Sequence, residues 1–282
     1  MNNEYNSWCK WHPLKTVMLG RAYYPEFYRD IKNSKVKDCL VRIAEETEED
    51  FKNYEKVLKE WGCEVIRPEL DINENLQEHI DNKEIMQHKS SAFLRPPAQP
   101  RDGQLVMGNE LLFTGNDHPS IKERLLEYNS DNTYDLENYL SPFNETFNRF
   151  DLELFDAPFV TCVGNRVYVD LQEIPEYAIN ILKERYPERE FINVKIGGHS
   201  DGCFHTLKEG VILSLERYTK FKDTFPGWEV CYLPPNQSWN LVENWFDLKI
   251  KNKGKWWLAG EEKNNDFTNF VETWLTDWVG YC

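Results

Sequence analysis

A β-hairpin pattern that recurs along the chain constrains the fold more than any other sequence feature. Two β-rich runs flank a glycine-containing turn at Gly108–Asn109, Gly164–Asn165, Glu209–Gly210 and Lys253–Gly254. A short turn of this kind between two β-rich runs is typical of a hairpin. The four glycines are 56, 46 and 44 residues apart. A unit that returns at such a period predicts a ring or a stack of repeated supersecondary modules.

The segments that follow the hairpins indicate what completes each module. After the second hairpin, residues 172–185 have a helical pattern and residues 191–196 form a β-rich run. After the third hairpin, residues 215–222 and 228–233 repeat this order. We therefore expect an α/β fold in which each module is a hairpin, a helix and a further strand.

The opening of the chain gives a shortened version of the module. It predicts a strand at 16–19, a helix at 45–61 and a strand at 63–66. Apolar residues in that helix follow the spacing of a core stripe: Phe51, Tyr54, Val57 and Leu58. The opening strand has no neighbouring hairpin partner, so a ring could close by pairing it with a strand near the C-terminal end. We expect one domain over 1–282, with a possible insertion at the Trp-rich segment 238–262.

Charge and composition exclude several classes of partner. Acidic residues outnumber basic ones 48 to 33, which gives a net charge of −15. A protein that binds nucleic acid or an anionic membrane surface needs a basic face, so neither partner is expected. No apolar run approaches the roughly 20 residues of a membrane-spanning helix, and the N-terminus lacks the pattern of a signal peptide. The oligomeric state is open, and a homo-oligomer is possible.

The cysteines predict reduced thiols in a cytoplasmic protein. They are odd in number and widely spaced, and no CxxC motif occurs. This usage gives no reason to expect a zinc site, and we expect neither a metal nor an organic cofactor. The seven positions are 9, 39, 63, 162, 203, 231 and 282.

Ionisable side chains lie directly before the first strand of several hairpins. Asp102 precedes the first hairpin, Asp156 precedes the second, and His199 and Asp201 precede the third. On an extended chain, His199 and Asp201 would point to the same side. Each motif alone is equally compatible with an ordinary turn, since Gly, Ser, Pro and Asp are common turn residues. If the modules surround an axis, however, the four side chains converge at one end of it, where carboxylates could accept paired N–H bonds from a guanidinium.

These motifs together resemble a known enzyme family. The order Pro-Arg-Asp (100–102), Phe-Asp-Ala (155–157) and His-x-Asp (199–201), each before an apolar hairpin, is similar to that of the amidinotransferases. The arginine–glycine amidinotransferase group belongs to the guanidine-modifying superfamily with the five-bladed α/β propeller, or pentein, fold. The segment Trp11–Gly20 also resembles their first strand, and the resemblance extends from about residue 11 to 235.

The resemblance implies a role for each candidate residue. It implies that His199 is the general acid and base, that Asp156 orients this histidine, and that Asp102 and Asp201 bind the guanidinium. It further implies transfer of an amidino group from L-arginine, or a similar guanidine donor, to an acceptor amine through a Cys–amidino intermediate. A guanidinium carbon is a poor electrophile, so carboxylates that fix its position and a His that protonates the departing amine suit this chemistry.

The nucleophile is where the sequence departs from the family pattern. The family has a His-Cys pair in a Gly-rich stretch near the C-terminus, whereas the late thiol here is Cys282, which follows Trp278–Tyr281. Three interpretations are open. Cys282 is the nucleophile; the final module is absent or supplied by a second chain, which the sequence pattern favours; or catalysis is lost and guanidinium binding is kept. A guanidine hydrolase of the deiminase or dimethylarginine hydrolase type is the nearest enzymatic alternative.

Overall fold

A computed structural model describes residues 5–82, 96–115, 118–136, 155–171, 174–194, 199–214, 221–233, 260–261 and 263–275. The chain divides into two compact units. The first unit comprises residues 1–14, 101–117 and 125–238, and the second comprises residues 15–100, 118–124 and 239–282. The expectation of one domain over 1–282 stays a prediction, and the segment 238–262 lies almost wholly outside the described residues.

The described elements are short strands and mostly short helices. The strands are β1 (Thr16–Met18), β2 (Glu64–Ile66), β3 (Gln104–Met107), β4 (Glu110–Phe113), β5 (Thr133–Asp135), β6 (Val160–Val163), β7 (Arg166–Val169), β8 (Glu190–Asn193), β9 (Phe204–Lys208), β10 (Val211–Ser214) and β11 (Glu229–Tyr232). The helices are α1 (Ser34–Glu60), α2 (Leu76–Asp81), α3 (Pro100–Gly103), α4 (Pro119–Tyr128), α5 (Glu176–Arg185), α6 (Phe221–Thr224) and α7 (Asn265–Trp274). Three further turns are 3₁₀ helices: η1 (Pro25–Tyr28), η2 (Ala157–Phe159) and η3 (Ser200–Gly202).

Three sheets of the first unit share one topology, which confirms three of the predicted hairpins. In each, the middle strand pairs antiparallel with the first strand and parallel with the third, giving β3–β4–β5, β6–β7–β8 and β9–β10–β11. The turn glycines Gly108, Gly164 and Gly210 have φ values of +65°, +59° and +80°, a region that other residues rarely occupy. The fourth predicted hairpin, at Lys253–Gly254, lies outside the described residues.

A helix connects the second strand of each sheet to the third, because a parallel pair needs a crossover connection. α4, α5 and α6 occupy these positions. α5 buries Ala178, Ile179 and Leu182 in the core of the first unit. The hairpin–helix–strand module predicted from the sequence is therefore confirmed for these three sheets, whereas the propeller arrangement stays a prediction.

The second unit is organised around α1, and here one sequence prediction is wrong. α1 begins at Ser34 instead of residue 45, because the side chain of Asn33 caps it by accepting a hydrogen bond from the Lys35 backbone N–H at 3.0 Å. Of the predicted core stripe, Leu58 is buried, whereas the exposed fractions of Tyr54 and Val57 are 54% and 40%.

The apolar face of α1 that is buried lies further toward its N-terminus. It packs against α7 and η1 through Val36, Leu40 and Ala44, and the partners on α7 are Phe267 and Val271. β1 pairs in parallel with β2, and within the described residues no further strand pairs with β1. In the same part of the chain, no helix is both long enough and apolar enough to cross a membrane.

His118 in the second unit makes the stability pH-dependent. Its Nδ1 lies 2.8 Å from the Ser120 hydroxyl, and its Nε2 lies 3.4 Å from the Tyr23 hydroxyl. Burial lowers the pKa of His118 to about 4, although the Glu74 carboxylate opposes this shift. The unfolded chain, with an ordinary histidine pKa of about 6.5, therefore binds more protons than the folded chain between these values.

We predict that the free energy of unfolding falls by up to about 3 kcal/mol as the pH falls from about 6.5 to about 4 because of His118 alone. Urea unfolding at several pH values measures this slope. His118→Asn keeps an acceptor for Ser120 but cannot take up the proton, so its slope is expected to be shallower. The exposed His12 offers a control, because His12→Asn should retain the wild-type slope; an unchanged slope in His118→Asn would contradict the prediction.

Candidate active site

The candidate side chains lie within or immediately before three one-turn helices, each of which leads into the first strand of a sheet. Asp102 lies within α3, before β3. Asp156 is the residue before η2, which leads into β6. His199 is the residue before η3, and Asp201 lies within η3, which leads into β9. All four belong to the first unit.

His199 and Asp156 are in direct contact. The His199 Nε2 lies 3.2 Å from an Asp156 carboxylate oxygen. The His199 side chain is 33% exposed and that of Asp156 is 20% exposed, so the pair is partly shielded from water. The edge of the His199 ring meets the Phe159 ring with a centroid distance of 5.1 Å. This arrangement leaves one imidazole nitrogen for Asp156 and the other for proton exchange.

Buried hydroxyl groups fix the position of this pair. The Ser200 hydroxyl donates a hydrogen bond to the Pro158 carbonyl at 2.5 Å and lies 2.6 Å from the Thr161 hydroxyl. Ser200 and Thr161 are each 1% exposed. Since Ser200 follows His199 and Pro158 lies two residues after Asp156, these bonds hold the two segments together.

Arg101 connects the segment of Asp102 to the rest of the site. Its guanidinium donates hydrogen bonds to the Gln104 carbonyl at 3.3 Å and to the Val160 carbonyl at 3.1 Å. Asp102 and Asp201 both interact electrostatically with this guanidinium, whose pKa is lowered mainly by burial. The structure thus places the two carboxylates around one buried cation and places His199 against Asp156.

One geometric expectation is wrong. His199 and Asp201 are expected on one extended stretch of chain, but residues Ser200 to Gly202 form a 3₁₀ turn. Only His199 has extended backbone angles, with φ −60° and ψ 125°. A turn replaces the strand because the buried Ser200 hydroxyl takes the Pro158 carbonyl as its acceptor, which bends the chain before β9 begins.

Sequence reasoning missed Lys10 and Arg101, which contribute positive charge to this region. Lys10 interacts electrostatically with Arg101, Asp201 and Cys162. A single lysine near the N-terminus gave no sequence signal, because its place at the site depends on contacts with residues far along the chain. Arg101 is the middle residue of the Pro-Arg-Asp motif, but an arginine in a turn is ordinarily solvated, so its burial at the site is not predicted. Within the described residues, no cluster of three or more His, Cys, Asp or Glu side chains could hold a metal ion.

Comparison with known proteins supports the fold. No protein-family model and no curated protein matches the sequence. Among solved structures, the chain is similar to SxtG, an amidinotransferase of the saxitoxin biosynthetic pathway from Microseira wollei. The TM-score is 0.54 at 15% identity over 83% of this chain and 76% of that one. It is also similar to the inosamine-phosphate amidinotransferase StrB1 from Streptomyces griseus, with a TM-score of 0.55 at 18% identity over 82% and 75% of the two chains.

The chain has an amidinotransferase-like fold. The resemblance inferred from the sequence motifs is therefore confirmed at the level of the fold. A dimethylarginine dimethylaminohydrolase structure is a more distant match, with a TM-score of 0.48 and 10% identity over 80% of this chain and 78% of that one. At these identities the likeness concerns the fold, and the roles of the individual residues rest on the site itself.

The hydroxyl network around Ser200 gives a testable prediction. Ser200→Ala leaves the buried Thr161 hydroxyl and the Pro158 carbonyl without this contact, which should lower the free energy of unfolding by about 1–3 kcal/mol. It should also speed amide hydrogen exchange at residues 199–203, as followed by mass spectrometry.

Thr114→Val is a matched control in the same unit. The Thr114 hydroxyl bonds the Gly103 carbonyl at 3.2 Å, but that carbonyl also accepts the Thr114 backbone N–H at 2.9 Å. This variant should therefore lose less stability and leave exchange at 199–203 unchanged. Equal exchange rates in wild type and Ser200→Ala would refute the positioning role.

Proposed function

We propose that this protein is a guanidine-modifying enzyme of the amidinotransferase type. It transfers an amidino group from L-arginine, or a similar guanidine donor, to an acceptor amine. His199 is the general acid and base, Asp156 orients it, and Asp102 and Asp201 bind the guanidinium. The single observation that carries the proposal is the contact between His199 and Asp156 at 3.2 Å, beside a region that holds two further carboxylates.

The chemistry of the donor explains why these groups suit it. A guanidinium is planar and spreads one positive charge over three nitrogens, so carboxylates can hold it by paired N–H bonds. Its central carbon reacts poorly until a nucleophile is held against it and the departing nitrogen is protonated. A histidine supported by a carboxylate supplies that proton and can later accept one.

The proposed reaction has two steps. A cysteine thiolate attacks the guanidinium carbon, and the carbon–nitrogen bond to the donor breaks as His199 gives a proton to the departing amine. The acceptor amine then attacks the amidino carbon and loses a proton to His199, and the carbon–sulfur bond breaks to restore the thiolate. Atoms and charges balance over the two steps, and no redox partner is involved.

The described thiols near the site do not suit the role of nucleophile. Burial raises the pKa of Cys162 to about 11, although three neighbouring cations oppose the shift, so this thiol is protonated at neutral pH. Cys203 follows η3 and is 6% exposed within the core. Cys282 lies outside the described residues, and the proposal leaves the thiolate to Cys282 or to a final module supplied by a second chain.

Two alternatives use the same donor site. A hydrolase would let water, rather than an amine, attack the amidino intermediate. A guanidinium-binding protein would keep the carboxylates without a working thiol. Transfer and hydrolysis begin with the same attack on the guanidinium carbon, so product analysis has to separate them.

Mass spectrometry of the intact chain and its peptides, after incubation with L-arginine and acid quenching, tests the covalent step. An amidino-sized mass increase on Cys282, absent in Cys282→Ser and in His199→Ala, would identify this thiol as the nucleophile and contradict the interpretation that the final module is missing. Cys231→Ser serves as the thiol control and should keep the adduct. An adduct on another cysteine would assign a different nucleophile. No adduct and no product, with arginine binding intact, would mean that this chain holds the donor site but lacks the nucleophile.

Products distinguish the transferase from the hydrolase. Adduct formation itself releases one equivalent of ornithine per chain, so the turnover beyond that equivalent is decisive. Continued ornithine formation only when an acceptor amine is added supports transfer. Citrulline, or continued ornithine formation without any acceptor, supports hydrolysis and contradicts the proposed reaction.

Calorimetric titration with L-arginine tests the guanidinium site independently of the thiol. We predict that Asp201→Asn weakens binding about tenfold to a hundredfold, because a charge-assisted hydrogen bond is lost. The exposed Asp131 provides the control, since Asp131→Asn removes the same charge elsewhere in the first unit. Equal affinities for wild type and Asp201→Asn would remove Asp201 from the donor site.

A further inference from the structure

A stripe of apolar side chains near the C-terminal end of α1 faces water instead of the core of the second unit. Tyr54, Val57 and Trp61 have the i, i+3 and i+7 spacing of one helix face, and all three are exposed. Leu58, on the adjoining face, is buried. This part of α1 therefore packs through Leu58, while the three-residue stripe remains accessible to a partner.

The turn that ends α1 holds the Trp61 side chain outward. The Gly62 N–H donates to the Lys59 carbonyl and the Cys63 N–H donates to the Leu58 carbonyl, both at 3.0 Å, which are the two bonds of a Schellman turn. Gly62 has a φ of +84°, as this turn requires. Cys63 and Leu58 are both buried, so the backbone on either side of Trp61 is fixed. The indole is displayed by a rigid turn, and binding it would cost little conformational entropy.

The composition of the stripe is typical of a protein–protein contact. Trp61 is 78% exposed, and tryptophan and tyrosine are the residue types that most often dominate the binding energy of an interface. A single exposed apolar residue needs no explanation, but neighbouring exposed aromatic side chains on one rigid face often mark an interaction site.

The charges around the stripe favour a second copy of this chain as the occupant. Residues 52–61 contain three lysines and two glutamates, a local net charge of +1 in a chain whose net charge is −15. Two copies that meet through this segment bring together no local excess of negative charge. The segment thus avoids the direct contact between acidic surfaces that would oppose association elsewhere on such a chain.

Two of these charged residues are only loosely paired within their own helix. Lys59 contacts Glu55 at 2.6 Å, in the favourable order with the glutamate first. Lys56 and Glu60 have the reverse order, lie 4.0 Å apart, and are 76% and 62% exposed. Because this contact is weak, Lys56 and Glu60 can exchange it for contacts with a second copy at little cost.

We propose that the stripe of Tyr54, Val57 and Trp61 is the contact surface of a homodimer in which two α1 helices pack antiparallel about a twofold axis. An axis level with residue 58 places Lys56 of each copy level with Glu60 of the other, so the surface is self-complementary, as a twofold interface requires. The same axis places Trp61 level with the interval between Tyr54 and Val57 of the other copy. This inference does not depend on the proposed function.

The size of the stripe sets the expected affinity. Three partly exposed side chains per copy supply much less than the roughly 800 Å² per partner of a standard interface. We therefore expect a dissociation constant in the micromolar range, with Trp61 as the residue that contributes most.

Sedimentation velocity of the full chain, at concentrations from about 1 µM to about 100 µM, tests the surface. We expect a reversible monomer–dimer equilibrium in wild type, and Trp61→Ser should weaken it at least about tenfold. Tyr177→Ser is the matched control, because Tyr177 is an exposed aromatic residue on α5 of the first unit, and it should leave the equilibrium unchanged. Urea unfolding of both variants verifies that neither substitution disturbs the fold.

Charge reversal tests the antiparallel arrangement. Lys56→Glu and Glu60→Lys each place like charges opposite one another at both symmetry-related contacts, so each variant alone should dimerise more weakly than wild type, by about twofold to tenfold. In an equal mixture of the two variants, a copy with two glutamates meets a copy with two lysines, and both contacts are again between opposite charges. The mixture should therefore form more dimer than either variant alone at the same total concentration.

Each contrary outcome overturns a stated part of the proposal. If wild type is monomeric throughout the concentration range, a second copy is not the occupant of the stripe and the inference is wrong. If wild type dimerises but Trp61→Ser dimerises equally well, the dimer uses another face and the inference is again wrong. If the mixture of Lys56→Glu and Glu60→Lys dimerises no better than either variant alone, the two α1 helices do not pack antiparallel.

Discussion

The register of the hairpins is the constraint on which the rest of the first unit depends. Each tight turn leaves the residues on either side directly paired, Met107 with Glu110 and Val163 with Arg166. A shift of one residue would exchange the buried and solvent-facing sides of both strands. Because the turn fixes this register, it also fixes the residue at which each first strand begins. The acidic side chains and His199, which lie just before those strands, are thereby placed at the same end of their sheets.

Charge in this region is organised by backbone contacts as much as by ion pairs. Arg101 is held by two carbonyl groups, and the turn of His199 is held by the Ser200 hydroxyl. Backbone acceptors hold the Arg101 guanidinium without neutralising it, and Asp102 and Asp201 supply the opposite charge around it. In the second unit an arginine is instead held by a carboxylate. The Arg67 guanidinium donates two hydrogen bonds to Glu48, one to each carboxylate oxygen.

The sequence predicted the local modules well and the long-range contacts poorly. Hairpins and crossover helices depend on turn residues and on hydrophobic periodicity, and both can be recognised in a window of about 10 to 20 residues. The predicted core stripe on α1 shows this limit. Its spacing correctly indicates a helix, but the part of the helix that α7 covers depends on contacts distant in sequence. Lys10 shows the same limit at the site. Nothing near it in sequence indicates burial. Its position follows from backbone hydrogen bonds that join Ser7 to Gly108 and Trp8 to Gly164, about 100 and 150 residues further along the chain.

Transfer and hydrolysis differ in whether water reaches the intermediate, and the exposure of His199 bears on this. One third of its side chain is open to solvent, so water has access to the ring. A transferase with this histidine must therefore exclude water by means of its bound substrates.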